Sequence, residues 1–388
     1  MIRLRGMTWK HDRGLAPMIA TAARFHKSHP DVVIEWEARS LSEFGEAPVE
    51  SLAEQYNLVV LDHPYMGALA RADCFLPLDE HLPAAQIAGF ARNTTGSSHA
   101  SYEYDGHLWA LAIDAAAQVA GYRADLLERE GAGLPQTWDD VFELARVRIG
   151  FVSLPLWPLD SLMCFFTLCA NAGDPAFASE GILVSRETGQ YALDLLRCLR
   201  DCSAPEARSE NPIAVWERMS ATDQIAYCPL AFGYSNYARP GYRSRALSFG
   251  AIPSAGRGPV GATLGGAGLA ISARWPHRDI ALEYATWVAG ADCQRTLYVE
   301  SGGQPAAHSA WIDPAANALA KGYFRATLPV LEQAWLRPRF AGFVACQNRA
   351  AQIIKDFLSD KRTSCEALDE LDRLLRVCRV AHSNPRLA

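Results

Sequence analysis

The sequence predicts an α/β fold of two domains built around a mostly parallel sheet. Three observations predict it. Short aliphatic and β-branched runs, Val32–Trp36 and Leu58–Leu61, have the composition of buried strands. A helically spaced segment precedes them, so the chain opens as β-α-β. The length of 388 residues, with 49% hydrophobic and 21% charged, supplies a core for each of two domains.

Each element follows from local pattern. Between Gly14 and His29 the apolar residues Leu15, Met18, Ile19, Ala22 and Phe25 fall on one helical face. Thr137 is placed to cap a helix over Trp138–Arg146, and Ala281–Val288 aligns Leu282, Ala285 and Val288. From Ser364 onward Leu368, Leu371, Leu374 and Cys378 form a stripe, and the last ten residues, with Pro385, read as frayed. Glycine and proline are densest from Pro253 to Gly268, well past mid-chain, which suits two domains joined by more than one crossing.

Charge and composition exclude several function classes. With 37 basic and 43 acidic residues the net charge is −6, which gives no electrostatic basis for nucleic acid or anionic membrane binding. The richest apolar stretch, Leu154–Ala172, is interrupted by Pro155, Pro158, Asp160 and Asn171, so no membrane insertion is expected. Met1–Trp9 carries no signal-peptide pattern. Ten dispersed cysteines without a C-x-x-C pair read as free thiols of a reducing compartment, so cytoplasmic residence is expected. The alternative is a periplasmic protein whose leader has been removed. Cys198 and Cys202 lie one helical turn apart, but no second pair completes a metal site.

Two motifs fail on their surroundings. Gly256-x-Gly258-x-x-Gly261 matches a dinucleotide fingerprint, yet Pro259 sits inside it and the strand-like run Gly268–Ser272 follows where a helix is required. Gly233-Tyr234-Ser235-Asn236-Tyr237 lacks the closing glycine of a nucleophile elbow. No cofactor and no metal are called for. Polar clusters at strand ends are more informative, because ligands of open α/β sheets bind there. Trp9, Lys10, His11 and Asp12 follow the first strand, Asp62, His63 and Tyr65 follow the third, and Leu108–Ile113 ends in Asp114. The competing reading makes Asp12, Asp62 and Asp114 caps of helices or turns.

Several segments, in order, resemble the family-1 extracellular solute-binding proteins, the maltose-binding-like receptors of ABC importers. Ala23–Val32 resembles the family's passage from first helix to second strand. Tyr104-Asp105-Gly106-His107-Leu108-Trp109-Ala110-Leu111 is similar to its Y-D-G-K-x-Y-A-L-P segment, with Ala112 at the usual proline. Tyr122–Leu127, Pro135–Asp140, Gly265–Ser272 and Gly302–Pro305 resemble further segments, so the likeness spans nearly the whole chain.

The resemblance implies a two-lobed, type II periplasmic-binding-protein-like fold with discontinuous lobes: 1–113 with 260–308, and 115–256 with 309–388. A multi-strand hinge is expected near 113–115, 257–261 and 308–310, closing on a ligand in the interlobe cleft. The implied function is binding of a small polar solute, sugar or sugar-acid-like, by a monomer, with an ABC permease as partner if the protein is exported. The expected ligand-binding residues are Trp9, Lys10, His11, Asp12, Asp62, His63, Asp114, Trp157, Tyr234, Asn236 and Gly266, with Tyr65 and Tyr237 as further rings. The alternative is a cytosolic enzyme or sensor on the same fold, with His11, Asp62 and His63 as its catalytic candidates.

Overall fold

The computed structural model describes residues 1–40, 48–178, 182–258 and 260–383. Pro259 and residues 384–388, with Pro385, lie outside the described residues; over 379–383, expected to be frayed, the backbone continues the helix Ser364–Ser383. The strands are β1 (Ile2–Trp9), β2 (Val32–Arg39), β3 (Leu58–Leu61), β4 (Glu103–Tyr104), β5 (His107–Leu108), β6 (Leu111–Tyr122), β7 (Tyr227–Phe232), β8 (Ser248–Gly250) and β9 (Leu264–Ile271). The chain divides into two compact units. One comprises residues 1–116, 265–325 and 339–341; the other comprises 117–264, 326–338 and 342–388. Residues 309–325 therefore belong to the first unit and not, as expected, to the second. Trp311 explains this placement, because its buried ring donates Nε1–H to the Pro305 carbonyl at 2.6 Å.

In the first unit β1 pairs in parallel with β2 from Ile2↔Val32 to Trp9↔Arg39, and with β3 at Gly6↔Leu58. β9 returns antiparallel to β3, Leu58↔Ile271 to Leu61↔Gly268. The helix Asp12–Ser28 connects β1 to β2 and buries Met18, Thr21, Ala22 and Phe25. Its Thr21 hydroxyl lies 2.8 Å from the Tyr284 hydroxyl of the helix Arg278–Ala289. β4 and β5 form a tight hairpin, Tyr104↔His107. The intervening Asp105 and Gly106 both have positive φ, 52° and 82°, the backbone that an Asp-Gly turn supplies at low cost.

In the second unit β6 pairs antiparallel with β7, Gln118↔Phe232 to Tyr122↔Tyr227, and with β8, Ala120↔Gly250 to Tyr122↔Ser248. The mostly parallel sheet expected from the sequence is thus limited, among named strands, to β1, β2 and β3. Thr137 caps its helix as expected, in a reciprocal capping box with Asp140. The helix Pro158–Asn171 is buried on nearly every face, which explains its apolar run, Leu162 to Cys169.

One pair of cysteines departs from the free-thiol expectation. Cys346 of the helix Phe343–Leu358 and Cys378 of the helix Ser364–Ser383 form a disulfide, with Cα atoms 6.2 Å apart. The fold-back of the two helices creates a proximity that a separation of 32 residues does not reveal. The other eight cysteines are free thiols.

Candidate functional site

The first unit holds eight of the expected residues. β1 ends at Trp9, and the helix begins three residues later. Lys10 is exposed. His11 is the N-cap: its Nδ1 accepts from the Arg13 backbone N–H at 3.0 Å, so the cap that the competing reading gives to Asp12 belongs to His11. Trp9 is only 6% exposed, and an added Cβ on Gly14 would lie 2.4 Å from its ring. Its ring therefore packs beneath the helix start and is not an open stacking plate.

Asp62 follows β3 and accepts from the His63 backbone N–H at 2.9 Å, capping the short turn His63–Tyr65. The same carboxylate oxygen lies 3.1 Å from Nδ1 of His63, whose ring is fully buried and meets Tyr102 edge-on.

Asp114 was expected at a strand end and lies inside β6. The small apolar residues after it, Ala115, Ala116, Ala117 and Val119, are all buried and carry the strand on to Tyr122. The Asp114 side chain is 1% exposed. Oδ2 accepts from Nε of Arg13 at 2.8 Å, and Oδ1 accepts from its Nη2. Burial pushes this carboxyl above the ordinary range, Arg13 opposes the push, and the Asp62 charge adds to it. With both oxygens on one guanidinium, Asp114 holds Arg13 in place before it serves any ligand.

Gly266 has φ +107°, and an added Cβ would lie 2.4 Å from the Asp114 carbonyl oxygen. The close backbone approach expected at Gly266 is therefore to its own chain. The Gln304 side-chain amide fixes the same stretch by donating to the Ala115 carbonyl at 2.8 Å.

The second unit holds the remaining three. Trp157 precedes Pro158 at the start of the Pro158–Asn171 helix and is 51% exposed, an unusual state for the largest apolar side chain. Asp160, in the first turn of this helix, is only 9% exposed, and burial pushes its carboxyl up to about 8. Tyr234 and Asn236 are buried in the turn that follows β7. Tyr237 beside them donates its hydroxyl to Oε1 of Glu217 at 2.7 Å. Arg243 grips that same carboxylate through Nε, 2.7 Å from Oε2, and Nη2, 2.6 Å from Oε1. Tyr237 is thereby a packing residue of a Tyr-Glu-Arg cluster.

Sequence reasoning missed Arg13 and Asp160. Arg13 carried a signal, since a cation in the first turn opposes the helix dipole and needs a specific partner. In the sequence Asp160 reads only as an interruption of an apolar run. Its acid placed at a helix N-terminus inside that run was the available clue. The fingerprint glycines 256, 258 and 261 all have positive φ, and β9 follows them; Gly261 serves close packing, since an added Cβ would lie 2.6 Å from the Ala170 backbone. Among the described residues no group of three or more His, Cys, Asp or Glu side chains is placed to hold a metal ion, and no helix is long and apolar enough to cross a membrane.

No protein-family model matches the chain. Solved structures match over nearly its whole length. Maltose-bound MalE3 of T. maritima is 19% identical with a TM-score of 0.82, covering 97% of this chain and 100% of its own. A solute-binding protein of an ABC transporter from Agrobacterium radiobacter K84, in complex with ribitol, is 18% identical with a TM-score of 0.79, covering 96% and 97%. The GacH receptor of Streptomyces glaucescens, described unliganded and with acarbose, is 18% identical with a TM-score of 0.80, covering 97% and 98%. The likeness establishes the architecture: this chain has the two-lobed, MalE-like periplasmic-binding-protein fold.

Proposed function

We propose that the protein binds a small polar solute, a sugar or sugar-acid-like molecule, as a solute-binding protein of the ABC-importer type, with a permease as its partner if it is exported. The full-length match to chains solved with maltose, ribitol and acarbose is the observation that carries this reading. Trp157 supports it, because an exposed indole offers a flat apolar face to the C–H surface of a pyranose. Asp62, half-exposed at a strand end, supplies an acceptor for ligand hydroxyls, and Lys10 a donor. The enzyme reading is weaker: His11 spends Nδ1 on a helix cap, and His63 is fully buried against Asp62.

Calorimetry with maltose, ribitol and acarbose tests the proposal. Saturable 1:1 binding of at least one, weakened by Trp157→Ala, supports it. Turnover of the bound compound, abolished by Asp62→Ala, would support the enzyme instead. We further propose a monomer, to be checked by light scattering with and without ligand. The proposed cytoplasmic residence turns on the Cys346–Cys378 pair. Ten thiols in protein trapped by alkylation at lysis favour the cytoplasm; eight favour the periplasmic alternative.

A further inference from the structure

We propose that the Cys346–Cys378 disulfide is a redox-controlled brace, which stiffens the segments where the chain leaves and re-enters the second unit. The C-terminal helix is held in two different ways along its length. Its first half is tied without the disulfide: Leu368, Leu371, Leu374 and Leu375 are buried, Asp372 accepts from the Leu183 backbone N–H at 2.8 Å, and Ser364 accepts from the Gln190 side-chain amide at 3.1 Å. Arg376 and Val377 are exposed, and Cys378 is the next inward-facing residue. The bond therefore adds a covalent tie on the inward face of the helix just beyond Leu375.

The other sulfur sits where a constraint propagates. Cys346 lies in the first turn of the helix that begins just after the crossing at 341/342. Phe343, one turn earlier, meets Phe177 edge-on at 5.9 Å, and Phe177 stacks on Trp335 with 12° between ring planes. The Trp335 backbone donates its N–H to the Ala262 carbonyl at 2.7 Å, and its carbonyl accepts from the Leu264 backbone N–H at 2.8 Å. Leu264 is the last residue before the crossing at 264/265, and Trp335 lies three residues before the crossing at 338/339. A contiguous packed path thus runs from the disulfide to three of the crossing segments, all inside one unit.

The chemistry is thiol–disulfide exchange. A dithiol reductant delivers two electrons and two protons, the Sγ–Sγ bond breaks to two thiols, and the reductant closes to its own disulfide. Because the first half of the helix keeps its ties, the reduced protein stays folded while its last turns and the Trp335 segment loosen. The consequence for ligand affinity rests on the solute-binding reading above; the mechanical effect does not.

Hydrogen exchange read by mass spectrometry, without ligand, tests the brace. The protein is compared after oxidised glutathione, after a dithiol reductant, and as the Cys346→Ser/Cys378→Ser double variant. On opening the bond, exchange is expected to accelerate at least tenfold in 376–383 and severalfold in 335–345, with 364–375 unchanged and full recovery on reoxidation. The reduced wild-type protein carries the test if the double variant fails to fold. Acceleration confined to residues after 375 overturns the proposal, as does a count of ten free thiols after oxidised glutathione. Calorimetry with maltose, ribitol and acarbose on both redox forms reads the consequence: absence of binding of all three in both forms removes the functional reading and leaves the exchange result standing.

Discussion

Asp160→Asn should stabilise the protein above neutral pH and flatten its pH dependence. Burial in the Pro158–Asn171 helix pushes the Asp160 carboxyl from an ordinary 3.8 up to about 8. The folded state thus keeps the proton over an interval in which the unfolded chain has released it. More protons bound when folded means that stability falls as pH rises, from the unfolded value near 4 to the folded value near 8. At about 1.4 kcal/mol per pH unit, that interval caps the cost of Asp160 at about 6 kcal/mol. Water entry and relaxation around a charged buried group recover much of it, and the gain expected for Asn at pH 8 is about 2 kcal/mol, vanishing by about pH 4. Asn preserves the shape and the polar contacts at the helix start while removing the charge. Urea unfolding of both proteins from pH 4 to pH 9 measures the difference. Parallel stability curves, with no divergence across that range, would refute the burial argument.

Arg13→Met should cost about 3–5 kcal/mol at neutral pH, because it strands the buried Asp114 carboxylate, and the double variant with Asp114→Asn should recover most of that loss; a double-mutant cycle in urea checks both. Gly266→Ala should lower the melting temperature, since the new Cβ would lie 2.4 Å from the Asp114 carbonyl oxygen at φ +107°; the expected penalty is about 2 kcal/mol or more, and an unchanged melt would contradict it. Trp157→Ala should leave the melting temperature within about 1 °C, because half of the ring is already in water, and should weaken solute binding roughly tenfold. Calorimetry and calorimetric melting on the same variant separate the two effects.

The sequence by itself determined the α/β class, the helix Asp12–Ser28, the capping box at Thr137 and the likeness to maltose-binding-like receptors. Each rests on residues close in sequence, where helical period, cap chemistry and the Asp105–Gly106 turn act locally. It also placed polar residues after β1 and β3. Only the tertiary structure decided how those residues are spent. Asp114 is separated from Arg13 by 101 positions, and no local pattern shows that its carboxylate is already engaged. Trp9 and Tyr237 carry the same stacking surface as Trp157, yet Trp9 is closed by the start of the helix after it, Tyr237 is held by Glu217 twenty positions away, and Trp157 is open. Cys378 read as one more residue of an apolar stripe until a helical fold-back set it against Cys346. Burial and pairing are sums over distant segments, so ring exposure, carboxylate partners and the bonded pair among ten cysteines are properties of the fold and not of the local sequence.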